Sequence, residues 1–170
     1  MSSGPRQIRT ADPVDPDVDL HVPTPHRQRS WDPAVLAVIA LGGVIGAEAR
    51  YGVSVWLPHE AGQWPGGTWL VNTSGCFLIG ILMIVVTELT SPHRLVRPFL
   101  GVGILGGYTT FSTAMVDVQQ MALTGRGDLA LGYLAATVLA ALAAAFLGMT
   151  LARATAAGWL RWRTHLGERS

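Results

Sequence analysis

Four long apolar stretches fill most of residues 34–152, and short loops rich in proline, glycine and charge separate them. They run from Ala34 to Leu57, from Thr68 to Leu89, from Pro98 to Leu123 and from Leu129 to Ala152. About 20 apolar residues, rising about 1.5 Å each as a helix, cross a hydrocarbon core of about 30 Å. Each stretch is therefore long enough to span a membrane. Only 14% of the 170 residues are charged, so a soluble fold of this size would have no polar shell in which to hide four such helices. The sequence predicts an all-α membrane protein with four transmembrane helices.

The flanks differ in kind. Residues 1–32 carry Pro5, Pro13, Pro16, Pro23 and Pro25 among alternating acidic and basic groups. They hold too few apolar groups to offset the entropy of ordering, and a disordered tail is expected. Early prolines and acids, with no short apolar core before a cleavage site, do not resemble a secretory leader. The expected organisation is a tail over 1–32, a membrane domain over 33–158 and a cytoplasmic tail over 159–170.

Arginine sets the expected orientation, because short cytoplasmic loops are enriched in positive charge. With four spans, Arg27, Arg29, Arg94, Arg97, Arg153, Arg161 and Arg163 share one side, while Arg126 stands alone on the other. Both termini are expected in the cytoplasm, with the chain in the plasma membrane. Trp31, Trp56, Trp64, Trp69, Trp159 and Trp162 fall near span ends, where amphipathic indoles are favoured. Glycines recur on three spans (Gly42, Gly43 and Gly46; Gly75 and Gly80; Gly101, Gly103, Gly106 and Gly107), and small residues allow close helix contact in lipid. Four such helices leave little room for a central pathway, so an oligomer with its function at a subunit interface is expected.

Polar groups inside spans are costly and mark function. Glu48 and Arg50 lie two residues apart on the first span and so face different ways. Arg50 is near the outer end, where snorkelling is an alternative role. Asn72, followed by Thr73 and Ser74, sits one turn inside the second span. Its amide can face an anion or bond a neighbouring helix. The third span contains "GGYTTFSTA" (106–114). Gly106 and Gly107 would permit unwinding, which is tolerated at membrane depth only against protein or a wet cavity. Carbonyls freed there can coordinate a cation. Beyond them, Thr110, Ser112 and Thr113 offer hydroxyls. Phe111 offers packing or, through its positive ring edge, an anion contact.

Other chemistries are poorly served. A net charge of +1 gives no sign of nucleic-acid binding. Cys76 is the single cysteine, so no disulfide or thiolate zinc site can form. The five histidines are scattered through tails and loops, and without any lysine there is no phosphate-binding loop of the Gly-Lys type. No nucleophile–base pair can be argued within the spans, so an enzyme is not expected.

Three ordered segments, "GGVIGAEARY" (42–51), "GTWLVNTSGCFLIG" (67–80) and "GILGGYTTFSTA" (103–114), resemble the Fluc (CrcB-like) fluoride channel family. The resemblance covers about residues 34–152. It implies an antiparallel dimer with a broken third helix, fluoride pathways along the interface and a structural sodium ion. On that resemblance, the Gly106 and Thr109 carbonyls match the sodium-coordinating positions. Asn72 matches the pore amide and Phe111 a pore phenylalanine, with Thr110, Ser112 and Thr113 as the polar positions around it. Arg50 matches the arginine ending the first segment, and Tyr133 and Thr137 resemble a polar track on the fourth span. Passive export of cytoplasmic fluoride, and so relief of fluoride toxicity, is the implied function.

Two departures bear on the partner. Ala114 stands where the family pattern carries a second phenylalanine. The arginine bias also disfavours insertion in both orientations, which a homodimer of antiparallel copies would need. An oppositely oriented paralogue that supplies the missing ring is therefore an expected partner, and a non-conducting partner subunit is an alternative role. A small four-span multidrug transporter is a further alternative. It would need a membrane-embedded carboxylate, for which Glu48 is the deep candidate and Asp117 lies nearer a span end.

Overall fold

The computed structural model describes residues 32–89 and 93–167, without the side chains of 158–167. The tail expected over 1–32 lies almost wholly outside the described residues. The elements are α1 (Pro33–Trp56), α2 (Gly66–Ile84), α3 (Gly106–Tyr108), α4 (Phe111–Leu123) and α5 (Gly127–Gly167). A π-helical turn, Val85–Leu89, continues α2, and a π-helical segment, Pro98–Leu105, leads into α3. No strand occurs among the described residues. Among the described residues, four helical spans are long and apolar enough to cross a membrane: Pro33–Trp56, Gly66–Leu89, Pro98–Leu123 and Gly127–Ala157.

Local chemistry accounts for the span ends. Asp32 caps α1 by accepting from the Ala34 N–H at 3.0 Å, and Pro33 occupies the first turn, where its missing N–H costs nothing. The turn from α4 to α5 needs Gly125, whose φ is +78°. There the Arg126 N–H bonds the Met121 carbonyl at 2.8 Å and the Gly125 N–H bonds that of Ala122 at 3.1 Å, which closes the open helix end. The helix of α5 runs on through Gly167, well past the expected end of the span at Ala152. Its Ala, Leu and Arg content and lack of proline favour that continuation.

Packing is pairwise. α1 lies chiefly against Pro98–Leu105 and α3, whereas α2 lies chiefly against α5. Glycines make both contacts close. A Cβ on Gly42 would stand 2.9 Å from the Gly103 Cα, and one on Gly107 would stand 2.9 Å from the Gly43 Cα. Gly80 faces the Ala145 carbonyl and Gly148 that of Phe77. With lipid tails as apolar as leucine, such backbone proximity supplies the dispersion contact that holds helices together. Large apolar side chains, among them Leu41, Val44, Leu131 and Leu139, point outward. Many buried residues are small, and Tyr133 and Met121, both 0% exposed, are the largest of the fully buried side chains.

Candidate functional site

Thr109 (φ −79°, ψ 156°) and Thr110 (φ −148°, ψ 120°) are extended, and they separate α3 from α4. Gly106 and Gly107, expected to be the point of unwinding, are instead helical. At Gly107 the bare backbone is used for contact with α1, since a Cβ there would stand 2.9 Å from the Gly43 Cα. The chain departs from the helix two residues later, where side chains can replace the lost backbone bonds.

Those replacements can be traced group by group. The Asn72 carboxamide meets Thr110 from both sides. Its Nδ2 donates to the Thr110 carbonyl at 2.8 Å, and its Oδ1 accepts from the Thr110 N–H at 2.8 Å. The Thr110 hydroxyl accepts from the Thr113 N–H at 3.2 Å, capping α4, and donates to the Thr113 hydroxyl at 2.9 Å. Arg50 Nε donates to the Gly107 carbonyl at 3.2 Å, at the negative end of the helix that α3 terminates. Arg50 thus reaches into the protein and does not snorkel outward. An unsatisfied backbone group in hydrocarbon costs several kcal/mol, so these side chains make the two extended residues tolerable. The second Asn72 amide hydrogen is not required by these bonds.

The same bonds free two carbonyls. In a continuous helix the Gly106 carbonyl would accept from the Thr110 N–H and the Thr109 carbonyl from the Thr113 N–H. The first donor is bonded to Asn72 and the second to the Thr110 hydroxyl. Gly106 and Thr109 also line one cavity. Hard carbonyl oxygens suit an alkali or alkaline-earth cation, so these residues fit the sodium role. Among the described residues, no group of three or more His, Cys, Asp or Glu is placed to hold a metal ion.

Two cavities meet at Thr110. One, of about 360 Å³, is lined by Asn72, Gly106, Thr109, Thr110, Phe111 and Thr137, with glycines and aliphatic residues. The other, of about 290 Å³, is lined by Arg50, Thr110 and Thr113 with residues of α1 and α2. Most of the expected residues are thus brought together. Phe111 is 77% exposed on the outer surface, and Ser112 is exposed beside it. Tyr133 is fully buried and does not line this cavity, and its ring meets Trp64 in an edge-on contact at 5.3 Å. Ala114 is buried with Met121, Ala130 and Tyr133.

Several polar contacts were not foreseen. Asp117 accepts from the Thr68 hydroxyl at 2.8 Å and bonds His59 Nε2 at 3.1 Å. These partners lie 49 and 58 residues away in the chain, so no local pattern announces them. Ser74 bonds the Tyr108 hydroxyl at 2.9 Å. Trp69 Nε1 and Thr73 Oγ1 are buried without a hydrogen-bond partner. Glu48, the deep carboxylate that a proton-coupled transporter would need, is exposed on the outer surface.

Residues 37–149 match the family profile described as "CrcB-like protein, Camphor Resistance (CrcB)". The chain is 52% identical over 129 residues to a Nocardia farcinica protein named "Fluoride-specific ion channel FluC 2", covering 76% of this chain and 92% of the relative. It is 52% identical over 129 residues to "Fluoride-specific ion channel FluC 1" of Streptomyces coelicolor, covering 76% and 81%. A Chloroflexus aurantiacus protein, "Fluoride-specific ion channel FluC", is 37% identical over 119 residues, covering 69% and 94%.

Proposed function

The chain belongs to the CrcB-like family of fluoride-specific ion channels, and from that premise we propose that it forms a passive, fluoride-selective exit pathway for cytoplasmic fluoride. The observation that carries this reading is the joining of Asn72, Thr110, Phe111 and Thr137 on one cavity. Fluoride holds its water tightly, so a selective route must replace that water with donors, yet bind weakly enough for release. The spare Asn72 hydrogen and the Thr137 hydroxyl supply neutral donors. Phe111 supplies the positive edge of a ring. None of these carries a fixed positive charge that would trap the ion.

A pathway at Phe111 needs a second wall, because one chain leaves that ring 77% exposed. An antiparallel dimer supplies it. The seven-to-one arginine bias favours a single orientation with both termini in the cytoplasm, and hence an oppositely oriented paralogue over a second copy. The Gly106 and Thr109 carbonyls would hold the sodium ion. Bound there, it would supply the positive charge that ties two chains together. Replacing sodium with a bulky organic cation is expected to lower the dimer fraction on size exclusion, and an unchanged fraction would remove the ion from the account. Ala114 favours a second reading, a partner subunit that does not conduct alone.

Fluoride-electrode efflux from proteoliposomes tests the proposal, with this chain alone and co-expressed with a paralogue of opposite bias. Wild-type efflux is expected, and Phe111→Ile is expected to reduce it at least tenfold (roughly 1.4 kcal/mol in barrier) without loss of the dimer. Full activity from this chain alone, with copies in both orientations, would rule out the obligate paralogue. No efflux in either arm would rule out the channel.

A further inference from the structure

Among the described residues, four buried polar atoms have no hydrogen-bond partner on another element: Trp69 Nε1, Thr73 Oγ1, Tyr133 Oη and Thr137 Oγ1. Native proteins leave few such groups, and each asks for an explanation. These four are not scattered. Trp69 and Thr73 are four apart on α2, and Tyr133 and Thr137 are four apart on α5, so each pair shares a helix face. The two helices are packed together. Trp69 packs against the cluster holding Tyr133, and further along Gly80 meets Ala145. Between those contacts lie Thr73 on α2, after Trp69 and before Gly80, and Thr137 on α5, after Tyr133 and before Ala145.

We infer that Trp69 and Thr73 form the α2 side of a dehydrated anion track completed by Tyr133 and Thr137, and that both donate hydrogen bonds to fluoride in transit. The inference rests on the reading of the chain as a fluoride conductor. Its discriminating member is Trp69. A hydroxyl can donate or accept, so three of the four groups would suit a cation as well as an anion. An indole N–H only donates. Buried without a bond to any acceptor of the chain, it is left to an acceptor from outside, water or anion, and titration with fluoride tells the two apart. The usual role of a tryptophan near a span end, donation to lipid headgroups or water, is closed to it because its nitrogen has essentially no open surface. Small neighbours, Ala114 and Ala130, make room for the aromatic pair in the cluster against which Trp69 packs. The track opens toward the cavity at Thr137, which lines it beside Asn72 and Phe111.

The test combines flux with a spectroscopic readout. The full chain, labelled with nitrogen-15 at tryptophan in detergent micelles, is titrated with sodium fluoride and with sodium chloride. The Trp69 indole resonance is identified by its loss in W69F or, should that variant aggregate, in W69Y. Fluoride is expected to shift this resonance and chloride to leave it in place. W69F and T73V are each expected to slow fluoride efflux at least tenfold, as loss of a hydrogen bond to a charged group implies, while T73S restores the rate. An indole resonance unmoved by fluoride, or W69F efflux equal to wild type, overturns the inference. Should the wild-type chain carry no fluoride at all, the conduction reading falls and the resonance alone decides whether Trp69 meets the anion.

Discussion

The span Pro98–Leu123 and the helix α5 are both long enough to cross an apolar layer, yet they satisfy their backbones differently. α5 is uninterrupted from Gly127 to Gly167, so its peptide groups bond within the helix. The other span turns from helix to extended chain at Thr109 and Thr110. Its peptide groups there are bonded by Asn72 from α2, Arg50 from α1 and the Thr110 hydroxyl. The side chains follow the opposite pattern. On α5 the buried hydroxyls of Tyr133 and Thr137 are bonded by no other element, whereas on the interrupted span Thr109, Thr110 and Thr113 are all engaged. One region uses side chains to hold backbone in place, and the other uses a self-sufficient backbone to hold free donors in place. A selective pathway requires both a rigid frame and unspent donors.

The largest test of this contrast is Asn72→Leu. It removes both bonds to Thr110 and leaves a buried peptide group open, so a loss of about 3–5 kcal/mol is expected from two unmet polar groups. Thermal unfolding in detergent measures it, and fluoride efflux should vanish with it. A variant that unfolds like wild type would mean that the extended residues hold themselves.

Gly148→Val probes α5 in the same way. A Cβ there runs into the Phe77 carbonyl, and overpacking typically costs about 1–3 kcal/mol. The unfolding midpoint should fall, while any folded protein keeps its efflux, because the donors of α5 are untouched. Efflux lost ahead of stability would show that the α2–α5 spacing itself tunes the track.

Thr110→Val is the mildest of the three. It deletes the cap on α4, worth about 1 kcal/mol, but keeps the Asn72 bonds to the Thr110 backbone. A small stability loss with a larger fall in efflux is expected, since Thr110 also lines both cavities. Equal losses in the two measurements would assign the hydroxyl to structure alone.

Asn72, Thr110 and Phe111 were legible as site residues because polar groups inside apolar spans are costly and must have a use. Arg50 was legible as a candidate, but its partner, the Gly107 carbonyl 57 residues away, was not. Gly106 and Gly107 were read as the point of unwinding because glycine lacks a Cβ. That same absence serves equally for helix contact, and only the position of α1 shows which use applies. Trp69 read as an interface anchor from its place near a span end. Its burial against Tyr133 depends on the packing of α2 on α5, which no spacing in the sequence reveals.

By itself the sequence determined four helical spans, their approximate ends and the polar residues that had to be explained. Length, apolarity and helix-ending residues are local properties, and in hydrocarbon a backbone has little choice but to bond to itself. Tertiary structure alone decided where the third span leaves the helix, which carbonyls lose their donors and which buried donors remain free. Each of those outcomes depends on a side chain from another helix reaching, or failing to reach, a particular peptide group. Distances of that kind arise only when the helices pack.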